Sequence, residues 1–244
     1  LSCWRDADAA QRFVDLAYPF DETTQVWPAK PPFHRDSTEQ GGTPTEKWYA
    51  TGQVALSEHA GTHMDAPVHF AQGQAGIDGI PVDRLIGPAV VIDVRVAVKE
   101  DRDYRVSLSD IHRWESAHRT IPAGAIVMLL TGWGVYWTDR ERYFGSTTPD
   151  VPTSLHFPGF SQEVAEFLVT ERHISGIGID TASIDYGPSQ DFVVHRIVNG
   201  AGLYGLENVA RLDEVPASGA TVMALPMKIA GGTGAPVRII AILP

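Results

Sequence analysis

Four side chains able to bind metal or move protons fall within eleven residues of this chain. They are His59, His63, Asp65 and His69, in the stretch Ser57–Phe70 (S-E-H-A-G-T-H-M-D-A-P-V-H-F), whereas the whole sequence holds nine histidines. Imidazole and carboxylate at that density suit two chemistries, ligation of a divalent cation and proton transfer near neutral pH. A helix here would set the Pro67 ring against the His63 carbonyl, and Gly61 and Thr62 add poor helix propensity, so the segment is expected to be extended. Alternate residues of an extended chain share a face, which places His59, Gly61, His63, Asp65, Pro67 and His69 together.

Spacing then constrains the geometry. Fully extended, His59 and His63 would lie roughly 13 Å apart at Cα, at the limit for two imidazoles meeting one ion at ~2.0–2.1 Å. A bend is therefore expected at Gly61, which tolerates unusual dihedrals. Asp65, two residues beyond His63, reaches the same ion. Two imidazoles and one carboxylate leave coordination positions open, as catalytic sites require. His69 lies one bend further on, after Pro67. It could be another ligand, but an uncoordinated imidazole beside an activated water is the natural proton shuttle, and that role is the one expected. His34, His112, His118, His156 and His173 are isolated and read as hydrogen-bonded structural residues.

The rest of the composition narrows the class. With 244 residues, 43% hydrophobic and 20% charged, the chain can bury the core of one large α/β domain spanning 1–244, and no apolar run approaches the roughly 18 residues of a spanning helix. A net charge of −11 with interspersed signs argues against nucleic acid or an anionic membrane as partner, leaving a small molecule. Cys3 is the single cysteine, which excludes an internal disulfide framework and a cysteine-built zinc site. The cytoplasm is the expected compartment, with a removed leader as the alternative because the chain begins at Leu1.

Several elements should position the cluster. Asp6–Leu16 reads as an amphipathic helix, capped by Asp6 and suited to packing against a partner subunit. Tyr18–Glu46, with Phe20, Trp27 and Phe33 among prolines, reads as an ordered loop able to supply a pocket wall. Trp48–Leu56, Ala89–Val96, Ala125–Thr131, Ile174–Asp180, Thr221–Leu225 and Val237–Leu243 read as strands. Ser109–Ala117, Ser161–Arg172 and Phe192–Asn199 read as helices, with Ser109 and Ser161 as caps. The strand, helix, strand order predicts parallel crossovers in a mixed sheet with flanking helices. Gly132–Gly159 concentrates aromatics, including Trp133, that could line a site for a flat substrate or clamp the sheet. Glu207 sits in an apolar run where burial is costly unless it is paired. The turn Gly231–Gly234 lacks G-K-[S/T] and is not a phosphate loop.

H-A-G-T-H-M-D-A-P-V-H, residues 59–69, is similar to the H-x-G-T-H-x-D-x-P-x-H signature of the cyclase superfamily of metal-dependent amidohydrolases. That superfamily includes kynurenine formamidases and isatin hydrolases. Trp27-Pro28, T-G-W at Thr131–Trp133, I-D-x-x-S-I-D at Ile179–Asp185 and G-G-x-G-x-P-x-R at Gly231–Arg238 also resemble family features. Ile184–His195 looks more like the isatin hydrolase branch. The resemblance implies a swivelling β/β/α fold, a metal on His59, His63 and Asp65, and His69 as proton donor and acceptor. In the formamidase branch a His and a Glu twelve residues apart complete a second metal position, and His195 and Glu207 match that spacing. The isatin hydrolase branch implies one manganese, with His195 and Glu207 ordering water or substrate.

The leading expectation is thus a manganese-dependent opening of the isatin lactam to isatinate, with Phe20, Trp27 and Trp133 as candidate substrate-binding residues. The alternative is N-formylkynurenine hydrolysis on one or two zinc ions. A metal-dependent protein that binds a small acid without turning it over is the third reading. A homodimer is expected.

Overall fold

A computed structural model of the chain describes residues 11–41 and 47–244. In chain order the strands are β1 (Phe13–Asp15), β2 (His34–Gly41), β3 (Tyr49–Ala55), β4 (His63–Asp65), β5 (Ile86–Asp93), β6 (Arg105–Val106), β7 (Ile126–Leu130), β8 (Gly159–Phe160), β9 (Gly176–Ile179), β10 (Tyr204–Glu207), β11 (Thr221–Pro226) and β12 (Gly234–Ile242). The helices are α1 (Arg95–Glu100), α2 (Leu108–His118), α3 (Arg140–Tyr143), α4 (Gln162–Arg172) and α5 (Val193–Gly200).

The apolar runs at β5 and β7 explain the central sheet. Both strands are buried on two faces, so alternate residues serve two cores. Val90, Ile92, Val127 and Leu129 face outward beneath α2, α4 and α5, together with Ile111, Leu168 and Val198. Ala89, Val91, Ile126 and Met128 face inward and meet Met64, Leu206, Val222 and Ile239. Strands β5, β7, β9 and β10 run parallel, as the strand, helix, strand order requires, while β11, β12 and β4 are antiparallel to their neighbours.

The sheet order is β1-β12-β11-β5-β7-β9-β10-β4, and β4 also pairs with β12. That extra pairing closes the sheet into a barrel-like ring. β12 is long enough to do both jobs, with Gly234–Pro236 on β4 and Val237–Ile242 on β11. Closure puts the motif strand β4 between β10 and β12, so the histidine segment, Glu207 and the C-terminal glycine turn are brought together. The mixed α/β architecture is the one expected. The hairpin β2–β3 stands apart, with β3 exposed along its length.

Four expectations are corrected. The loop expected over Tyr18–Glu46 is strand over His34–Gly41, whose backbone pairs with β3. Residues 13–15 are strand, not the C-terminal part of a helix over 6–16: their backbone pairs with β12 residues Ile240–Ile242 while Val14 and Leu16 enter the core. Asp6–Ala10 lie outside the described residues, so the proposed dimer helix is not observed where it can be checked. The strand expected to reach Val96 ends at Asp93, whose carboxylate accepts from the Arg95 amide (3.0 Å) and guanidinium, turning the chain into α1. The cap of α2 is Ser107, not Ser109: Ser107 Oγ accepts from the Asp110 amide, and Asp110 Oδ2 accepts from the Ser107 amide. α4 is capped by Ser161 as expected.

Candidate metal centre and catalytic pocket

The bend expected at Gly61 is present. Its φ is +58°, and a β-carbon there would stand 2.8 Å from the Phe20 ring, so only glycine fits both the conformation and the space. Phe20 therefore backs the turn from behind and does not line the cavity. The Gly61 carbonyl accepts from Asn208 Nδ2 (2.7 Å) and from His63 Nδ1 (2.9 Å). Three residues of strand follow, then a single 3-10 turn, Pro67–His69, which Pro67 can open because its nitrogen needs no acceptor.

Strand alternation sorts the side chains. Met64 points into the barrel core, leaving His63 and Asp65 on the other face. Register then supplies their partners: Glu207 stands directly opposite His63 on β10, and Gly205 opposite Asp65. His63 Nε2 lies 3.2 Å from Asp65 Oδ1 and 3.4 Å from Glu207 Oε2. His59 Nδ1 lies 2.6 Å from Asp65 Oδ1. From α5, His195 Nε2 lies 3.2 Å from Asp65 Oδ2 and 3.1 Å from Glu207 Oε1. His69 stacks on His59 with ring centres 4.0 Å apart. The fold thus brings all six residues together. Ligand atoms of Asp65, His59 and His69, and of Asp65, His63 and Glu207, form two groups each within 4.8 Å. Asp65 belongs to both, its Oδ1 toward His59 and His63 and its Oδ2 toward His195.

This donor set fits a divalent cation. The Nδ1 proton of His63 is committed to the Gly61 carbonyl, and its buried Nε2 has no hydrogen-bond partner. A neutral imidazole would aim that lone pair between two carboxylate oxygens. Only a proton or a cation among the three atoms relieves the repulsion.

The remaining buried groups hold this arrangement. Asp185 accepts from His195 Nδ1 (2.6 Å) and from the amides of Val194 and His195 (both 3.1 Å), so one carboxylate caps α5 and aims His195 Nε2 at the cluster. Asp180 accepts from the amides of Thr131 (3.0 Å) and Gly132 (2.8 Å) and from the Thr131 hydroxyl (2.5 Å). The T-G-W and I-D-x-x-S-I-D segments are thus two halves of one anchor. Burial pushes Asp180 up to about 6 against those hydrogen bonds.

Charge balance among the imidazoles differs sharply. Burial lowers His63, but the Asp65 and Glu207 carboxylates outweigh it and raise its pKa to about 9. His195 is likewise penalised by burial yet held well above the ordinary value by Asp185, Asp65 and Glu207. Asp65, despite burial, is held well below the carboxylate range by His195, His59 and His63. His69 is pushed down to about 4 by burial, which outweighs the opposing Asp65 carboxylate; the imidazoles of His59, His195 and His63 lower it by smaller amounts.

A stability prediction follows for the metal-free protein. The folded state retains the His63 proton from the ordinary 6.5 up to about 9, where the unfolded chain has released it. That stabilisation is complete below pH 6.5 and is lost as pH rises through about 9. Chelated protein should lose about 1.4 kcal/mol per pH unit for each such proton across the window. Calorimetry from pH 6 to 9.5 would read it. Metal loading, which takes the proton's place, should flatten the slope, and a flat profile without metal would contradict the assignment.

Residues 14–186 match the family model described as putative cyclase. The chain belongs to that family. It is 33% identical over 205 residues to the isatin hydrolase of Roseibium aggregatum, covering 81% of this chain and 76% of the relative. It is 30% identical over 228 residues to the kynurenine formamidase of Salinibacter ruber, covering 93% of this chain and 95% of the relative. The solved isatin hydrolase A of Ralstonia solanacearum superposes with a TM-score of 0.88 at 31% identity, over 96% of this chain and 92% of that one.

Beside the histidine cluster lies a cavity of about 490 Å³. Trp27, Phe70 and Phe192 wall it, with Phe192 5.3 Å from Phe70 and 6.0 Å from Trp27 between ring centres. Trp27 is thus among the residues that line the cavity. Trp133 is not: it is buried in the outer core, where its indole N–H donates to the Tyr143 carbonyl (2.7 Å). Of the Gly132–Gly159 aromatics, Phe144 reaches the cavity wall. Phe70 and Phe192 were not singled out from the sequence, although each lies close to one of the candidate histidines, His69 and His195. Among the described residues no helix is long and apolar enough to cross a membrane.

Proposed function

We propose that this metal-dependent hydrolase is one catalytic domain that opens the lactam ring of isatin to isatinate. The observation that carries the reading is a His/Asp/Glu cluster able to hold an ion beside a cavity walled by aromatic rings, which suit a flat bicyclic amide. His59, His63 and Asp65 would hold the ion, manganese being the first choice and zinc the alternative. When bound, the ion supplies Lewis-acid polarisation of the amide carbonyl and lowers the pKa of water at the site.

The chain's own residues do the rest. Trp27, Phe70 and Phe192 hold the ring system and exclude bulk water. His69, kept neutral at pH 7, accepts a proton from the attacking water as the C–O bond forms. It then delivers that proton to the anilide nitrogen as the C–N bond breaks. A weakly basic imidazole makes a strongly acidic imidazolium, which suits protonation of a poor leaving group.

The formamidase reading has its own supporting observation. His195 Nε2 stands between Asp65 Oδ2 and Glu207 Oε1, a second donor group that could hold a second ion. Arg140, a candidate for recognising an amino-acid carboxylate, is engaged elsewhere: it donates to Gln25 Oε1, the Val26 carbonyl and Asp150. Turnover of isatin and of N-formylkynurenine by chelated protein, reloaded separately with manganese and zinc, separates the readings. Isatin opening with manganese, at least about tenfold (about 1.4 kcal/mol) ahead of formamide hydrolysis, is expected. Zinc-specific formamidase activity without isatin hydrolysis would sink the proposal, and silence on every amide would favour a binding protein.

A further inference from the structure

The glycine turn Gly231–Gly234 is not explained by the chemistry above. Its Thr233 amide donates to Glu58 Oε2 (2.9 Å), and its hydroxyl donates to the same oxygen (2.6 Å). Thr233 Oγ1 also lies 2.9 Å from His59 Nε2. A hydroxyl has one proton, and here it is taken by a carboxylate that can only accept. Oγ1 must therefore accept from His59 Nε2–H. With a proton held on Nε2, Nδ1, 2.6 Å from Asp65 Oδ1, is the nitrogen that faces the cluster; without metal that contact needs a second proton, whose place an ion takes.

Gly234 completes the setting. A β-carbon there would stand 2.6 Å from His59 Cε1, 3.0 Å from Nδ1 and 2.8 Å from the Met64 carbonyl. The ring thus lies flat against bare backbone, and closure of the barrel through β12 and β4 brings that backbone in.

We propose that Glu58 and Thr233 are positioning residues that fix the His59 tautomer, so that His59 offers Nδ1 to the ion, with the glycine turn as their mount. This rests on the reading of His59 as a ligand and names the device that makes it one. Partners of this kind change metal affinity by about 10–100-fold when removed. Thr233 is at the rim, so the lower end applies.

The test is titration of chelated protein with zinc alone and with manganese alone, read by calorimetry, with the ¹⁵N shifts and Nε2–H solvent exchange of His59 recorded in the zinc-bound protein. Thr233→Val should bind about tenfold more weakly and lose the protection of the Nε2–H from exchange, with thermal stability of the metal-free protein unchanged. Thr233→Ser should restore both, and Glu58→Gln should weaken binding in the same direction by less. Parental affinity in Thr233→Val, alongside a large loss in His59→Ala, would overturn the relay and leave the ligand assignment standing. Parental affinity in both would overturn both, and failure of Thr233→Ser to restore binding would overturn the relay.

Discussion

Asp65→Asn is expected to lower kcat/KM by at least about 10³-fold, ~4 kcal/mol of transition-state stabilisation, and to leave the protein without stoichiometric metal after dialysis. Asp65 is 1% exposed, and its two oxygens face three imidazoles: His59 and His63 at Oδ1, His195 at Oδ2. An amide of the same shape has one accepting oxygen and no charge, so whichever way it turns, its NH₂ faces ring nitrogens. Glu207 would be the carboxylate left between His63 and His195, with Asp185 behind His195. The metal-free variant should also be less stable than the parent, since removing one partner of a buried ionic network costs about 3–5 kcal/mol. Metal content by atomic emission and chemical denaturation of the chelated protein check the two parts separately. Full metal occupancy with full activity would remove Asp65 from the site.

The His59–His69 stretch could be read without coordinates because its chemistry and its backbone constraints lie in adjacent residues. Gly61 and Pro67 dictate two bends, and strand parity places His63 beside Asp65. His195 and Glu207 were legible as a pair only through their twelve-residue spacing. What joins them to the motif is the register of β10 on β4 and the Asp185 cap of α5, both set by long-range pairing. The strand β1 was misread because Ala9, Phe13 and Leu16 recur at helical spacing, while the pairing that decides the matter comes from the last strand of the chain. Trp133 was misplaced for a related reason. Aromatic density does not say whether a ring faces a cavity or the outer core, and Trp133 N–H found its acceptor in the core. Thr233 and Glu58 carried no local signal at all, since they lie 175 residues apart and meet only where β12 closes the barrel.

Replacing His69 by alanine should separate proton transfer from metal binding. The ring stacks on His59 at 4.0 Å and stands 5.9 Å from His195, so it borders both donor groups. With a pKa pushed down to about 4 it is free of a proton throughout the neutral range, the state needed to accept one from water. Removing it should cost about 10²–10⁴-fold in kcat, the usual worth of a positioned general acid and base. KM and metal content should change little, because the aromatic wall and the Asp65 cluster remain. The loss should be greatest for substrates with the most basic leaving nitrogen, where protonation matters most. Exogenous imidazole, admitted to the space vacated at the cavity wall, should recover part of the rate. If His69→Ala instead loses metal in proportion to activity, the group formed by His59, Asp65 and His69 is a ligand set, and the proton must travel through another residue.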